Sequence, residues 1–313
     1  MLHGMKMKPI FFACCISVLL VVFIDFPDLH LTPHAYATSS YPVKVSYDVS
    51  YGPYPYEVLD QCLPVGAPAL RPAIIMIHGG GWMGGDKAKY DEMCKSYAAQ
   101  GYIVATINYR LAPQYQWPDQ IGDVQLAVRY LRVNASSLNL NPGTICALGD
   151  SAGAHLALLV DELQSIHAAD VGSLYPYVSP AVQCVVDQFG PADLAQLFNE
   201  NPNVQQDISD LLDYQVPPNS IYTDVSPVDN LTVLTGAALI IQGTQDQTVL
   251  PDQSQELYQA LLNNSLLTEY ISYDGGHEYS GLSPDQYNAI MAQINTFLNN
   301  FEQPGIIARP QHD

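Results

Sequence analysis

The sequence predicts an α/β fold: a mostly parallel eight-stranded β-sheet with helices on both faces. From Val43 onward, short β-rich runs alternate with helical patterns, which is typical of crossover units on a parallel sheet. Several of these runs are continuously apolar, as expected for strands covered on both faces. No internal repeat or linker-like stretch interrupts the alternation. We therefore expect one domain over residues 38–313.

The elements follow from the apolar and β-branched runs and from the helical patterns between them. The predicted strands are 43–50, 56–63, 73–77, 103–108, 144–148, 182–188, 237–242 and 268–273. The predicted helices are 86–100, 119–133, 152–164, 252–262 and 284–299. Asp86, Asp119 and Asp252 stand where short carboxylates can satisfy the free N–H groups that open a helix.

The first 37 residues have the order of a secretory signal peptide. Lys6 and Lys8 precede an apolar run over residues 10–24, which only Ser17 interrupts, and the chain then turns polar towards Ala35-Tyr36-Ala37. The run is shorter than the ~20 residues that cross a bilayer as a helix. We expect cleavage after Ala37 and a secreted or extracytoplasmic protein. Retention of the segment as a membrane anchor is the alternative.

Four cysteines lie beyond this segment, all in apolar surroundings. Export permits disulfides, yet two of the four fall in predicted central strands. We expect small buried core residues rather than one or two bridges, and we expect none to be a nucleophile. The four are Cys62, Cys94, Cys146 and Cys184.

Residues 190–234 form the one irregular region, with five prolines between two strands. We expect one or two short helices, over 193–199 and 204–213. Ligands of α/β sheets bind at the carboxyl edge of the strands, where this insertion emerges. The region is therefore predicted to be a small lid, with a plain surface excursion as the alternative.

The charge is strongly negative and unevenly distributed. Lys and Arg total 11 against 31 Asp and Glu, for a net charge of −20. No Lys or Arg lies between Arg132 and Arg309, whereas that stretch holds 20 acidic residues. Binding to nucleic acid or to an anionic membrane surface needs a basic face, so both are excluded as functions. A polyanionic substrate would be repelled by this half, so neutral substrates are favoured.

A G-x-S-x-G motif follows the predicted strand 144–148 and opens a helix. Gly149 and Gly153 allow a tight turn that lifts the Ser151 hydroxyl above the sheet, as in a nucleophile elbow. The alternative is a glycine-rich turn with a capping serine. The strand–turn–helix context favours the nucleophile.

A glycine run follows the third strand, at His78 to Trp82. Its unobstructed N–H groups, from Gly80 and Gly81, can point at a developing oxyanion together with the N–H of Ala152. The run directly follows a strand and precedes a helix, which strengthens the assignment. We expect His78 to brace this loop rather than to act as a base.

A serine nucleophile needs a base, and the base needs an acid that orients it. Asp246 follows the strand 237–242, and His277 follows the strand 268–273. Both stand in the chain order Ser, Asp, His that such sites use. Asp252 is the rival for the acid but fits a helix start better, and Asp274 fits the turn before His277.

These motifs together resemble the α/β-hydrolase superfamily, specifically the esterases of the hormone-sensitive-lipase and feruloyl/acetyl-xylan-esterase-like (BD-FAE) groups. The resemblance covers nearly all of residues 43–302. It rests on His78-Gly79-Gly80-Gly81-Trp82, Asn108-Tyr109-Arg110-Leu111-Ala112-Pro113, Gly149-Asp150-Ser151-Ala152-Gly153, the turn at Asp246 and the loop at His277. Little chain precedes the first strand for a helical cap, so we expect an open site of the polysaccharide-esterase kind.

The resemblance implies a catalytic triad and an oxyanion hole, with no metal and no organic cofactor. Its catalytic residues would be Ser151, Asp246 and His277, and its oxyanion donors Gly80, Gly81 and Ala152. The implied reaction is hydrolysis of small or medium acyl esters, including carbohydrate-linked esters, through an acyl-enzyme. An amidase or peptidase, or a catalytically silent binding protein of the same fold, is the alternative.

Three residues next to the motifs are candidates for the substrate pocket. They are Trp82, Glu278 and Tyr279, although core packing explains Trp82 equally well. Arg110 is expected to pair with a nearby carboxylate such as Asp123, in a structural role.

Overall fold

The computed structural model of the chain describes residues 40–68, 70–162, 174–232 and 236–301. The predicted signal segment lies outside these residues. None of the helices found within these ranges is long and apolar enough to cross a membrane.

Eight strands form a single sheet in the order β1-β2-β4-β3-β5-β6-β7-β8. Strand β2 pairs antiparallel with β1 and with β4, and all the other pairs are parallel. The strands are β1 (Val43–Ser50), β2 (Val58–Pro64), β3 (Arg71–Ile77), β4 (Ile103–Ile107), β5 (Leu140–Asp150), β6 (Cys184–Gln188), β7 (Ala237–Gly243) and β8 (Thr268–Tyr273). The predicted mostly parallel eight-stranded sheet is confirmed.

Ten α-helices are found in the described part of the chain. They are α1 (Asp91–Gln100), α2 (Asp119–Val133), α3 (Ala135–Leu138), α4 (Ala152–Glu162), α5 (Leu194–Glu200), α6 (Gln205–Leu211), α7 (Ile221–Val225), α8 (Pro227–Asn230), α9 (Pro251–Asn263) and α10 (Pro284–Asn300). The helix predicted over 86–100 divides into a 3₁₀ turn at Lys87–Tyr90, capped by the Asp86 side chain, and α1.

The helices cover both faces of the sheet, and β3 shows how one strand serves two cores. Ile75 and Ile77 belong to the core under α2, α4 and α9. Ile74 and Met76 belong to the core under α1 and α10. Successive strand side chains point to opposite faces, so a continuously apolar strand is required here.

The insertion after β6 contains four short helices, two more than predicted. The predicted helices 193–199 and 204–213 correspond to α5 and α6, whereas α7 and α8 were not predicted. Pro227 occupies the first turn of α8, where the missing N–H of proline costs nothing. Proline therefore begins a helix at a place where its presence suggested irregular chain.

The prediction that the four cysteines are unbridged was wrong. Cys62 on β2 is bonded to Cys94 on α1, and Cys146 on β5 is bonded to Cys184 on β6. Cys146 and Cys184 are directly opposite each other in the parallel β5–β6 pair, with Cα atoms 4.6 Å apart. Apolar surroundings indicated burial correctly, but pairing depends on strand register for Cys146–Cys184 and on the packing of α1 against β2 for Cys62–Cys94, and the sequence alone provides neither.

Asp187, on the central strand β6, makes the stability of the fold depend on pH. Its side chain is fully buried, and one oxygen accepts the Gly190 N–H at 2.7 Å. Burial raises the pKa of Asp187 from 3.8 to about 7. The folded state therefore holds a proton that the unfolded state releases between these two pH values. The contribution of Asp187 to the free energy of unfolding is fully present below pH 3.8 and is lost as the pH rises through about 7.

We expect Asp187→Asn, which imitates the protonated side chain, to remove this dependence. The free energy of unfolding of the variant minus that of the wild type should increase by on the order of 3 kcal/mol between pH 4.5 and pH 8. Denaturant unfolding of both proteins at the two pH values, with disulfides intact, measures the difference. Parallel pH profiles for the two proteins would contradict this role of Asp187.

Candidate active site

The turn between β5 and α4 holds Ser151 in a strained conformation. Its φ is +50°, in the left-handed region, and its N–H donates to the carbonyl oxygen of Gln188 at 2.9 Å. A Cβ atom on Gly149 would collide with the Gly153 carbonyl, and one on Gly153 would collide with the Ile77 carbonyl. Gly149 therefore allows the end of β5 to pack tightly on the start of α4, and Gly153 allows the turn to approach β3 closely.

Ser151 lies at one end of a hydrogen-bonded relay. The Oγ of Ser151 is 3.0 Å from Nε2 of His277, and Nδ1 of His277 is 2.7 Å from Oδ2 of Asp246. Ser151 follows β5, Asp246 follows β7 and His277 follows β8, so the carboxyl ends of these three strands bring the side chains together at one edge of the sheet. The structure thus brings the three predicted residues together, with His277 between Ser151 and Asp246.

The Asp246 carboxylate is fully buried and held from several sides. Its Oδ1 accepts the N–H groups of Thr248 and Val249 at 2.8 and 3.0 Å, and Oδ2 is 3.3 Å from Nε2 of Gln242. A carboxylate only accepts hydrogen bonds, so Nδ1 of His277 must carry the proton in this contact. The Nε2 lone pair of the neutral ring then faces the Ser151 hydroxyl.

Tyr279 and Gln188 tie the loop that carries His277 to the Ser151 turn. The Tyr279 hydroxyl donates to Oε1 of Gln188 at 2.7 Å, and Nε2 of Gln188 donates to the Gly149 carbonyl at 3.1 Å. The edge of the Phe189 ring also packs on the imidazole, with centroids 4.8 Å apart. Gln188 and Phe189 were not predicted, because nothing in the sequence indicates that the end of β6 meets this loop.

Lys89 joins the same two regions through charge. Its Nζ lies 2.7 Å from Oδ2 of Asp150 and 2.7 Å from Oε1 of Glu278. Asp150 directly precedes Ser151 in the sequence, and Glu278 directly follows His277. The Glu278 side chain is 61% exposed and the Asp150 side chain 4%. The ion pair of Lys89 with the buried Asp150 therefore stabilises the turn more than the ion pair with Glu278, because exposed ion pairs are weak.

The loop at residues 78–82, which is predicted to hold the oxyanion donors and is called the oxyanion loop below, is anchored to the Asp150 carboxylate. The Gly79 N–H donates to Oδ1 of Asp150 at 3.1 Å. The His78 ring stacks on Tyr109 with centroids 4.5 Å apart, and the Tyr109 hydroxyl donates to the His78 carbonyl. Burial lowers the pKa of His78, so the ring packs as a neutral group. His78 braces the loop, as predicted.

The three predicted oxyanion donors keep their N–H groups available. The N–H groups of Gly80, Gly81 and Ala152 donate no hydrogen bond to the described residues. Ala152 opens α4, where the first N–H groups have no partner within the helix. These N–H groups can therefore donate to a bound molecule, which the predicted role requires.

Trp82 packs inside the protein, which favours core packing over the predicted place in the substrate pocket. Only 3% of Trp82 is exposed, and its indole N–H donates to Nδ1 of His155 at 3.3 Å. Nε2 of His155 is 2.7 Å from the Val225 carbonyl, and burial lowers the pKa of His155 to about 4. A neutral His155 thus links the oxyanion loop to α7 of the insertion.

Several other predicted residues have structural roles. Arg110 pairs with Asp123 at 2.7 Å in a buried ion pair, as predicted. Asp252 lies in the first turn of α9, and Asp274 accepts a hydrogen bond from the Gln245 side chain. The carboxylate that is hydrogen-bonded to His277 is that of Asp246. Within the described ranges, no group of three or more His, Cys, Asp or Glu residues is arranged to hold a metal ion.

The chain is similar to proteins that are named as esterases. Esterase LipC of Mycobacterium tuberculosis (strain ATCC 25618 / H37Rv) is 28% identical over 261 residues, which are 80% of this chain and 64% of LipC. Esterase LipQ of the same organism is 26% identical, over 80% of this chain and 61% of LipQ. The chain therefore spans less than two thirds of the length of these relatives.

A solved structure described as a truncated form of a carbohydrate esterase from gut microbiota superposes with a TM-score of 0.71. It is 28% identical, and the match covers 84% of this chain and 99% of that one. The BD-FAE family matches residues 59–261, more than half of the chain. The chain therefore belongs to the BD-FAE family and has the α/β-hydrolase fold of its esterase relatives.

Proposed function

We propose that the chain is a serine carboxylic-ester hydrolase in which Ser151 is the nucleophile, His277 the base and Asp246 the acid. The observation that carries this proposal is the relay Ser151–His277–Asp246, with contacts of 3.0 and 2.7 Å. A serine hydroxyl is a weak nucleophile unless a base removes its proton, and this relay provides an oriented base.

In the acylation step, Oγ of Ser151 forms a bond to the ester carbonyl carbon while Nε2 of His277 takes the hydroxyl proton. The carbonyl oxygen becomes an oxyanion and accepts hydrogen bonds from Gly80, Gly81 and Ala152. The buried Asp246 carboxylate stabilises the imidazolium that forms. The intermediate then expels the alcohol, which receives its proton from His277.

In the deacylation step, a water molecule gives a proton to His277 and attacks the acyl-enzyme. The same N–H groups stabilise the second oxyanion. Collapse of the intermediate releases the carboxylic acid and returns the proton from His277 to Ser151. Every proton moves through one imidazole, so this mechanism uses no metal and no organic cofactor.

The proposed substrates are neutral esters with small or medium acyl groups, including carbohydrate-linked esters. A structural relative described as a carbohydrate esterase supports this class. The absence of Lys and Arg between Arg132 and Arg309 disfavours polyanionic substrates near this half of the chain. The insertion is proposed to be a small lid, whose helix α7 is joined through His155 to Trp82 of the oxyanion loop.

We also propose that the protein is exported through its N-terminal segment. The disulfides Cys62–Cys94 and Cys146–Cys184 support this, because such bonds persist in oxidising compartments. Fractionation of the native host, followed by detection of the chain and sequencing of its mature N-terminus, tests this proposal.

A panel of substrates tests the activity. The panel is p-nitrophenyl acetate, p-nitrophenyl octanoate, methyl ferulate, acetylated xylan and the amide p-nitroacetanilide. We expect ester turnover with acetate above octanoate, release of acetate from xylan, and slow or no amide cleavage. Amide cleavage as fast as ester cleavage would contradict the esterase assignment, and a protein inactive on every ester would overturn it.

A further inference from the structure

Helix α6 of the insertion brings a carboxylate against the oxyanion loop. A Cβ atom on Gly81 would lie 2.5 Å from Oδ2 of Asp207, 3.1 Å from its Cγ and 3.5 Å from its Cβ. The charged end of Asp207, rather than its stem, is thus the nearest part. Gly81, with a φ of +59°, is one of the proposed oxyanion donors.

This carboxylate has acceptor capacity that the described residues do not use. No hydrogen bond and no ion pair to the Asp207 side chain is recorded among them. The side chain is half-buried, and burial, followed by the charge of Asp210, raises the pKa of Asp207. A partly desolvated carboxylate without a donor is unfavourable, so a donor from a bound molecule would improve its state.

A negative charge beside an oxyanion hole does not assist the reaction by itself. It repels the charge that develops on the substrate oxygen, and this repulsion is strongest where water is excluded. A substrate hydroxyl that donates to Asp207 reverses the balance, since it neutralises part of that charge and gains a hydrogen bond to a charged acceptor. Substrates with a hydrogen-bond donor close to the ester are therefore expected to bind and react better beside Gly81 than substrates without one.

We propose that Asp207 is a specificity-determining residue that accepts a hydrogen bond from a hydroxyl group near the scissile ester. The preferred substrates are then esters of polyols, in which a free hydroxyl lies one or two carbons from the ester oxygen. This inference rests on the proposed esterase function and names the alcohol side of its substrate. Esters with an anionic group at that position are disfavoured by the same carboxylate.

A structural role of Asp207 must be separated from this one. Asp207 lies in the first turn of α6, where an acidic side chain stabilises the helix. Asp224 lies in the first turn of α7, is exposed, and belongs to the same insertion. Asp224→Ala is therefore a matched control: it also removes a negative charge from the first turn of a helix in the insertion, but it leaves the contact between Asp207 and Gly81 in place.

The experiment compares glycerol monoacetate with propyl acetate, which lacks the two hydroxyl groups. The ratio of their kcat/KM values is measured for the wild type, Asp207→Ala, Asp207→Asn and Asp224→Ala. We expect a wild-type ratio above one and a loss of about tenfold in Asp207→Ala, because the substrate hydroxyl loses its charged acceptor. Asp207→Asn keeps an acceptor oxygen and should retain part of the preference. Asp224→Ala should keep all of it.

The contrary outcomes are distinct. An unchanged ratio in Asp207→Ala, or an equal fall in Asp224→Ala, overturns the inference and leaves the esterase proposal standing. A second pair, acetylcholine and 3,3-dimethylbutyl acetate, tests for a cation site. A preference for acetylcholine that Asp207→Ala abolishes, with the glycerol ratio unchanged, contradicts the hydroxyl assignment. A wild type inactive on all four esters is a failure of the proposed function itself.

Discussion

Replacement of Ser151 by alanine is expected to lower the turnover of p-nitrophenyl acetate by a factor of about 10⁴ to 10⁶. The oxygen that attacks the ester is lost, and His277 keeps no partner at its Nε2 atom. The oxyanion donors remain, so a small residual rate above that in water is expected. Steady-state hydrolysis at high enzyme concentration measures the loss.

This loss should occur without unfolding. Alanine retains the Cβ of Ser151 and its N–H bond to Gln188, so the thermal transition should move by only a few degrees. Ser96, exposed on α1, provides the control, and Ser96→Ala should keep wild-type turnover. Near-normal hydrolysis by a pure Ser151→Ala protein would show that another group attacks the ester.

Replacement of Asp246 by asparagine is expected to lower kcat by about 10³- to 10⁴-fold while the fold is preserved. Oδ1 of the asparagine can still accept the N–H groups of Thr248 and Val249. The amide NH₂ would then face Nδ1 of His277, which can only accept from it. The ring would be forced to carry its proton on Nε2 and could no longer take one from Ser151.

Asp252 gives the matched control, because it is the other carboxylate that the sequence offered as the acid. It lies in the first turn of α9, and its side chain is 3.4 Å from Nε2 of Gln196. Asp252→Asn should change kcat by less than about threefold, as expected for a helix-terminal acid away from the reacting atoms. If Asp252→Asn caused the large loss and Asp246→Asn did not, the acid would be Asp252.

The sequence predicted the three relay residues because each follows a recognisable strand. The turn at Ser151 has glycines on both sides, and the strands before Asp246 and His277 are continuous β-rich runs. In a parallel sheet, the carboxyl ends of neighbouring strands share an edge. The order of motifs along the chain therefore implied their meeting in space.

The supporting residues could not be predicted in this way. Gln188 and Asp207 lie far from the motifs in sequence, and Lys89 follows the glycine run without any pattern that marks it. Only the packing of the 3₁₀ turn, β6 and α6 brings these residues to the site. For the same reason, the Cys146–Cys184 disulfide depended on strand register and the Cys62–Cys94 disulfide on the packing of α1 against β2. Aromatic composition likewise could not distinguish a buried Trp82 from one lining a pocket.

The most direct test of the proposed nucleophile is covalent labelling with a fluorophosphonate probe, followed by mass spectrometry of the digested protein. The probe reacts with a serine whose hydroxyl is activated by a base. We predict a single adduct on Ser151 that is absent from Ser151→Ala and forms far more slowly in His277→Gln. A folded wild-type protein that remains unlabelled, or that carries its adduct on another residue, would contradict the assignment of Ser151 as the activated nucleophile.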